Sequence, residues 1–177
     1  MSIAITVGGT YLGGREDYQP ASKLGRNIPR MWDPRGSATD WAPVIEAALL
    51  GIGKECGRVG WDGDESLPVS DQTIRLVEQV TACLFTLLPR GTPAPDLIPE
   101  ADGEICMSWS IDADRLFSAS VGAHGKINFA GQFSTGGEVH AWQPIDRKSR
   151  ASLEKSLQDV VRYVGKLFEP PADRRAV

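Results

Sequence analysis

The residues best suited to chemistry in this sequence are carboxylates grouped around one short turn. Trp61 and Asp62 belong to a Gly-Trp-Asp-Gly tetrapeptide, and Asp64 and Glu65 follow it directly. Neighbouring carboxylates can bind a divalent cation or transfer protons. Their spacing lacks the EF-hand pattern, so we expect no bound metal and no cofactor. The simpler interpretation is structural: Asp62 accepts amides of its own turn and Trp61 fills a gap between helices, with a binding role as the alternative.

Histidine, cysteine and glycine patterns point to no known catalytic arrangement. His124 falls in a predicted hairpin turn and His140 on a predicted strand, and the sequence contains no Gly-x-Ser-x-Gly nucleophile motif and no phosphate-binding loop. The three cysteines are widely spaced, which favours neither a disulfide framework nor a zinc site. We therefore predict no catalytic residue. The alternative left open is an enzyme of unknown reaction that uses Asp62, Asp64 or His140 in a pocket beside the sheet.

Charge is distributed unevenly along the chain. The formal net charge is -4, which argues against direct nucleic-acid binding. Between Gly91 and Asp114 there are six acidic residues and no basic one. A solvated acidic face is the simplest interpretation, and a surface complementary to a basic groove on a protein partner is the functional one. The residues predicted to bind such a partner are Trp61, Asp62, Asp64, Glu65, Asp96, Glu100 and Asp102.

Length and composition are those of a single globular domain. The chain has 177 residues, of which 41% are hydrophobic and 24% charged, and this is enough to build a core without disulfides or metals. Its longest apolar runs are far shorter than the roughly 18 to 20 residues that span a bilayer. The start of the chain lacks a signal-peptide pattern. We expect a cytoplasmic protein with reduced cysteines and no membrane contact.

The periodicity of apolar residues predicts an α+β fold. Helical spacing predicts helices from Trp41 to Cys56, after a Ser70 cap, and from a cap near Ser149 to Pro170. A proline-rich extended connector follows the second helix. Period-two alternation then predicts three antiparallel strands and a shorter fourth one ending at Trp142. We predict two layers, with helices on one face of a three- to four-stranded antiparallel sheet, a loop-rich N-terminal arm at 1–40, a single domain at 41–169 and a frayed tail at 170–177.

Several of these features occur in an order that resembles a group of small bacterial proteins. They are the Gly60 to Gly63 turn, Pro68 to Ser70 opening a helix, the prolines from Pro93 to Pro99, and Asp102 to Ile105 followed by Trp109. In that group the turn precedes a helix, and a proline-rich link leads to a β-meander and a closing helix. Its pattern continues after the turn with an aromatic residue, a glycine and an alanine, where this chain has Asp64, Glu65 and Ser66.

The resemblance implies a genetic context rather than a reaction. Such proteins are often encoded by phages and other mobile elements and have no established catalytic activity. Together with the acidic stretch, it predicts a non-enzymatic protein-binding factor. That factor would inhibit a host nucleic-acid enzyme, as an anti-CRISPR protein does, or act as an antitoxin-like neutraliser. A homodimeric scaffold that buries its exposed sheet face is a further alternative.

Overall fold

The structure, a computed structural model, describes residues 40–133 and 137–169. The predicted N-terminal arm, apart from Asp40, and the predicted C-terminal tail lie outside these residues. Within the described ranges, no helix combines the length and the apolar character needed to cross a membrane.

The described chain forms four helices and five strands in an α+β arrangement. The helices are α1 (Ala42–Cys56), α2 (Asp71–Leu87), α3 (Arg150–Ser156) and α4 (Gln158–Phe168). The strands are β1 (Asp96–Pro99), β2 (Ile105–Asp112), β3 (Arg115–Val121), β4 (Lys126–Phe133) and β5 (Gly137–Pro144).

The strands form one antiparallel meander in the order β1-β2-β3-β4-β5. The α+β prediction is confirmed, but the sheet has five strands where three or four were predicted. The additional strand is β1, which lies inside the proline-rich connector and pairs with β2 from Pro99 opposite Ile105 to Asp96 opposite Ser108. Proline is compatible with this position because β1 is an edge strand of the described sheet and has one neighbour there.

The helices cover one face of the sheet, and this inner face contains the core. Alternate strand residues such as Met107, Phe117 and Ile127 are fully buried there, and Val160 of α4 and Val80 of α2 are fully buried in the same cluster. The outer face carries the intervening residues, most of them small or polar. The two-layer arrangement follows from this, because the apolar side of the sheet and those of the helices are removed from water together.

The serine caps predicted for α2 and for the closing helix are confirmed, whereas α1 begins at Ala42, one residue after its predicted start, and its N-cap Trp41 makes no capping hydrogen bond through its side chain. The Ser70 hydroxyl accepts the Thr73 amide at 3.1 Å, and the Ser149 hydroxyl accepts the Ser152 amide at 3.1 Å. The single closing helix predicted from Ser149 to Pro170 is divided in two at Leu157. The Ser156 carbonyl accepts a hydrogen bond from the Gln143 side chain of β5. This contact from another element accompanies the interruption of the helical hydrogen bonds.

Candidate functional site

Three loops meet at one end of the sheet. They are residues 57–69 between α1 and α2, the turn at 100–104 between β1 and β2, and the turn at 122–125 between β3 and β4. The Leu67 amide donates to the Ala101 carbonyl at 2.7 Å, which fastens the first loop to the second. The Gln72 side chain, at the start of α2, donates to the Ala123 carbonyl at 3.0 Å and so holds the third loop against α2. We call these three segments together the acidic end.

A glycine permits the close approach of the first two loops. Gly103 has a φ of +81°, and a Cβ placed on it would lie 2.9 Å from the Pro68 carbonyl oxygen. A side chain at this position would meet both a strained backbone conformation and a steric clash with backbone. The contact between the loop that contains the Gly-Trp-Asp-Gly turn and the β1–β2 turn therefore depends on glycine at this position.

The Gly-Trp-Asp-Gly turn is held by its own side chains. The Trp61 indole donates to the Leu67 carbonyl at 3.0 Å, and the Asp62 carboxylate accepts the Asp64 amide at 3.0 Å. Hydrogen bonding from Ser66, followed by the Asp64 amide, lowers the pKa of Asp62. These contacts are those expected of a structural turn. They leave Asp62, Asp64 and Glu65 exposed to solvent, so the same turn presents three carboxylates.

A second group of carboxylates lies in the β1–β2 turn. Oxygen atoms of Glu100, Asp102 and Glu104 come within 4.8 Å of one another. The Asp102 carboxylate accepts the Glu104 amide at 3.0 Å and remains exposed, whereas Glu104 is buried. Burial, and to a smaller extent the neighbouring carboxylates, raise the pKa of Glu100, while a hydrogen bond with Ser120 acts in the opposite direction.

The buried carboxylate is paired with a histidine. His124 Nε2 is hydrogen-bonded to Oε1 of Glu104, and Asn128 Nδ2 donates to Oε2 of Glu104 at 3.3 Å. The second ring nitrogen of His124, Nδ1, accepts the Lys126 amide at 3.0 Å. Because Nδ1 is an acceptor, the hydrogen-bond network assigns the ring proton to Nε2, which donates to the carboxylate.

The sequence predicts that His124 is exposed in a hairpin turn, and the structure confirms this, but residue types alone did not single out its pairing with Glu104. The register of the β2–β3 hairpin indicates that Glu104 and His124 lie close together. Ile105 lies opposite Val121, which brings Glu104 next to the residues that follow β3. A Cβ placed on Gly122 would lie 2.9 Å from Cγ of Glu104 and 3.2 Å from Nε2 of His124. The absence of a side chain at Gly122 therefore makes room for the pair.

Several carboxylate oxygens of the β1–β2 turn that could bind a metal already accept hydrogen bonds from the protein. Each carboxylate oxygen of Glu104 has a protein donor, and one oxygen of Asp102 accepts a backbone amide. A cation would have to compete with these donors for its ligands. The arrangement fits a rigid, negatively charged turn better than an open coordination shell.

One predicted binding residue, Asp96, and the last two residues of the acidic stretch lie outside the acidic end. Asp96 lies on the outer face of β1 opposite Ser108, one strand length from the β1–β2 turn. Asp112 and Asp114 belong to the β2–β3 turn, at the far end of β2 from Glu104 and thus roughly 25 Å away. The acidic stretch of the sequence is therefore not one surface in the fold.

The residues of the alternative enzymatic hypothesis are not drawn together. His140 lies on the exposed outer side of β5 opposite Ala130, while Asp62 and Asp64 belong to the loop before α2. In the described ranges, no hydrogen bond or ion pair joins His140 to either aspartate.

The three cysteines have the environment of structural thiols. Cys56, Cys83 and Cys106 are all buried and unpaired. Burial raises the pKa of each thiol, that of Cys106 to about 11. Such thiols are almost entirely protonated near neutral pH and are therefore poor nucleophiles.

Comparison of this chain with protein-family models, curated proteins and solved structures finds no match.

Proposed function

We propose that this protein is a non-enzymatic binding factor that inhibits a host nucleic-acid enzyme by docking its acidic end into a basic groove of that enzyme. The observation that supports the proposal is the hydrogen bond between Leu67 and Ala101. It joins two acidic runs that are far apart in the sequence. The carboxylates of Asp62, Asp64 and Asp102 thereby share one end of the sheet.

The exposed carboxylates of the acidic end can interact with a basic partner through solvent. Asp62, Asp64, Glu65 and Asp102 are exposed, so their fields extend into solvent over roughly the 8 Å Debye length at physiological ionic strength. A groove that binds nucleic acid carries Lys and Arg side chains that pair with phosphates. Carboxylates on a protein surface can pair with the same side chains and so exclude the nucleic acid.

Apolar residues beside the carboxylates supply a second component of binding. Val59 and Leu67 belong to the same loop and are 72% and 55% exposed. Electrostatic complementarity contributes mainly to the rate of association and to register, whereas burial of apolar side chains contributes to affinity. An interface that covers Val59 and Leu67 together with the neighbouring carboxylates would have both components. Neutralisation of a basic toxin, in the manner of an antitoxin, would use the same surface.

Charge reversal within the acidic end tests the proposal. Glu65 is exposed and its side chain forms no hydrogen bond within the described residues, so Glu65→Lys changes the charge without removing a structural contact. The matched control is Glu78→Lys, which makes the same change in charge on the solvent side of α2.

The measurement is affinity capture from host lysate at low and raised salt, followed by an activity assay of the captured enzyme. We expect the wild type and the control variant to retain and inhibit a nucleic-acid enzyme, with retention falling as salt rises. We expect the Glu65→Lys variant to retain less of it. Equal retention by all three proteins, insensitive to salt, would refute docking through the acidic end.

A further inference from the structure

The edge of the sheet formed by β5 has no pairing partner among residues 40–133 and 137–169. β5 is paired with β4 on one side only, over an unbroken register from Lys126 opposite Pro144 to Phe133 opposite Gly137. The other edge strand, β1, is only four residues long, ends in a proline and carries Asp96, which are features that protect an edge from pairing. β5 has eight residues and neither a bulge nor a proline before Pro144.

The hydrogen-bond phase of β5 shows which of its backbone groups face the open side. The Ile145 amide donates to the Gly125 carbonyl at 2.8 Å, so the pair of Gly125 and Ile145 is a hydrogen-bonded pair of the ladder. Hydrogen-bonded and non-hydrogen-bonded pairs alternate along an antiparallel ladder. The odd-numbered residues of β5 therefore bond to β4, and the even-numbered ones point away from it. Pro144 agrees with this phase, because its nitrogen has no proton and faces the open side.

The open groups are therefore the amides and carbonyls of Glu138, His140 and Trp142. In the described ranges no other backbone or side-chain group is hydrogen-bonded to them. The side chains of the same three residues stand exposed on the outer face of the sheet. The edge thus presents three donors and three acceptors in a row.

We propose that β5 pairs with β5 of a second copy of this chain in an antiparallel, two-fold arrangement centred on His140. In this register His140 lies opposite its own symmetry mate and Glu138 lies opposite Trp142 of the other copy. All three open residues then form hydrogen-bonded pairs, for a total of six backbone hydrogen bonds. The two sheets become one continuous sheet.

Charge complementarity favours a second copy as the occupant. Lys126 Nζ lies over the Trp142 ring, 4.9 Å from its centroid. Because Glu138 would face Trp142 of the other copy, its carboxylate would also lie near Lys126 of that copy, and symmetry produces this contact twice. Neither Glu138 nor Lys126 has an ion pair within the described part of the monomer.

The inner face adds an apolar contact to the same register. Val139 and Ala141 are half-buried in the monomer, although they lie on the side of the sheet that the helices cover. A two-fold axis through His140 places Val139 opposite Ala141 of the other copy. Pairing would therefore remove further apolar surface from water.

Dimerisation is measured by sedimentation velocity of the full chain over a range of protein concentrations. His140→Pro removes an amide that faces away from β4, so the monomer retains its own ladder while the centre of the dimer loses two hydrogen bonds. We expect a concentration-dependent dimer for the wild type and a monomer for His140→Pro. A wild type that stays monomeric, or a dimer that tolerates His140→Pro, would overturn the proposal; the latter result would indicate pairing through another surface.

A charge swap tests the register without altering the backbone. Glu138→Lys should raise the dimer dissociation constant about tenfold, since it replaces two attractive contacts by two repulsive ones. Adding Lys126→Glu to it should restore most of the affinity. Asp114→Lys, an equal change in charge in the β2–β3 turn, should have no effect. Failure of the second substitution to restore affinity, or an equal loss with Asp114→Lys, would contradict pairing centred on His140.

Discussion

Replacing Glu104 by glutamine tests whether the hydrogen bonds of this carboxylate hold the acidic end together. Glu104 is buried and accepts two hydrogen bonds, from the side chains of His124 and Asn128. A glutamine side chain has almost the same shape but only one acceptor oxygen, and its amide group would face a donor on the other side. The substitution therefore keeps the packing and removes one hydrogen bond and the charge.

The expected loss follows from these contacts. A hydrogen bond to a charged group contributes roughly 1.5–3 kcal/mol, and a buried donor left without an acceptor adds a penalty of similar size. The longer bond, 3.3 Å from Asn128, and the partial exposure of His124 place the effect near the lower limit. We expect Glu104→Gln to lower the free energy of unfolding by about 2 kcal/mol, which corresponds to roughly 4 to 8 °C in melting temperature for a chain of this length.

Urea unfolding of the wild type, Glu104→Gln and Glu78→Gln measures this difference. Glu78 lies on the exposed side of α2, so its change to glutamine should alter the free energy of unfolding by less than about 0.5 kcal/mol. Combining Glu104→Gln with His124→Ala should cost less than the sum of the single losses, since both residues serve one hydrogen bond. If Glu104→Gln behaves like Glu78→Gln, Glu104 does not stabilise the acidic end.

Three further changes have distinct expected outcomes. The pKa of Glu100 is raised in the folded state, so its ionised form opposes folding. Glu100→Gln should therefore be more stable than the wild type at neutral pH. In urea unfolding this difference in stability should shrink as pH falls toward 4.5, the ordinary pKa of a glutamate. Gly103→Ala should lower the free energy of unfolding by about 2–3 kcal/mol in the same assay, because φ is +81° and the new Cβ would lie 2.9 Å from the Pro68 carbonyl oxygen. An unchanged unfolding midpoint would contradict this contact. If the Ser70 hydroxyl caps α2, Ser70→Ala should lower the free energy of unfolding by about 1 kcal/mol, and Ser70→Thr, which keeps a hydroxyl, should lower it much less.

Strong periodicity made most of the fold predictable from the sequence. The alternation from Ile105 to Phe133 predicted β2, β3 and β4, and serine caps predicted the start of α2 and of α3. β1 was missed because a four-residue strand with proline at its end has too little alternation to be distinguished from an extended connector. The interruption at Leu157 was missed because it accompanies a contact between Ser156 and Gln143, which no local pattern contains.

The site was less predictable because it depends on contacts between loops. Composition identified the carboxylates of both acidic runs, but nothing in the sequence specifies that the Leu67 amide bonds to the Ala101 carbonyl. The fold also moves apart some acidic residues that are close together in the sequence. Asp112 and Asp114 follow Glu104 closely along the chain, yet the extended conformation of β2 places them at the opposite end of the sheet.

The buried pair of Glu104 and His124 bears on how the acidic end would bind. Repulsion between neighbouring carboxylates tends to loosen a turn, and a face that is only solvated does not require its turn to be rigid. Here the turn is fixed by Asp102 accepting the Glu104 amide, by hydrogen bonds from His124 and Asn128, and by the close contact at Gly103. A turn already held in one conformation loses little conformational entropy when a partner binds. This rigidity favours the binding interpretation over a merely solvated face, and it predicts that Glu104→Gln should weaken partner capture even though Glu104 itself is buried.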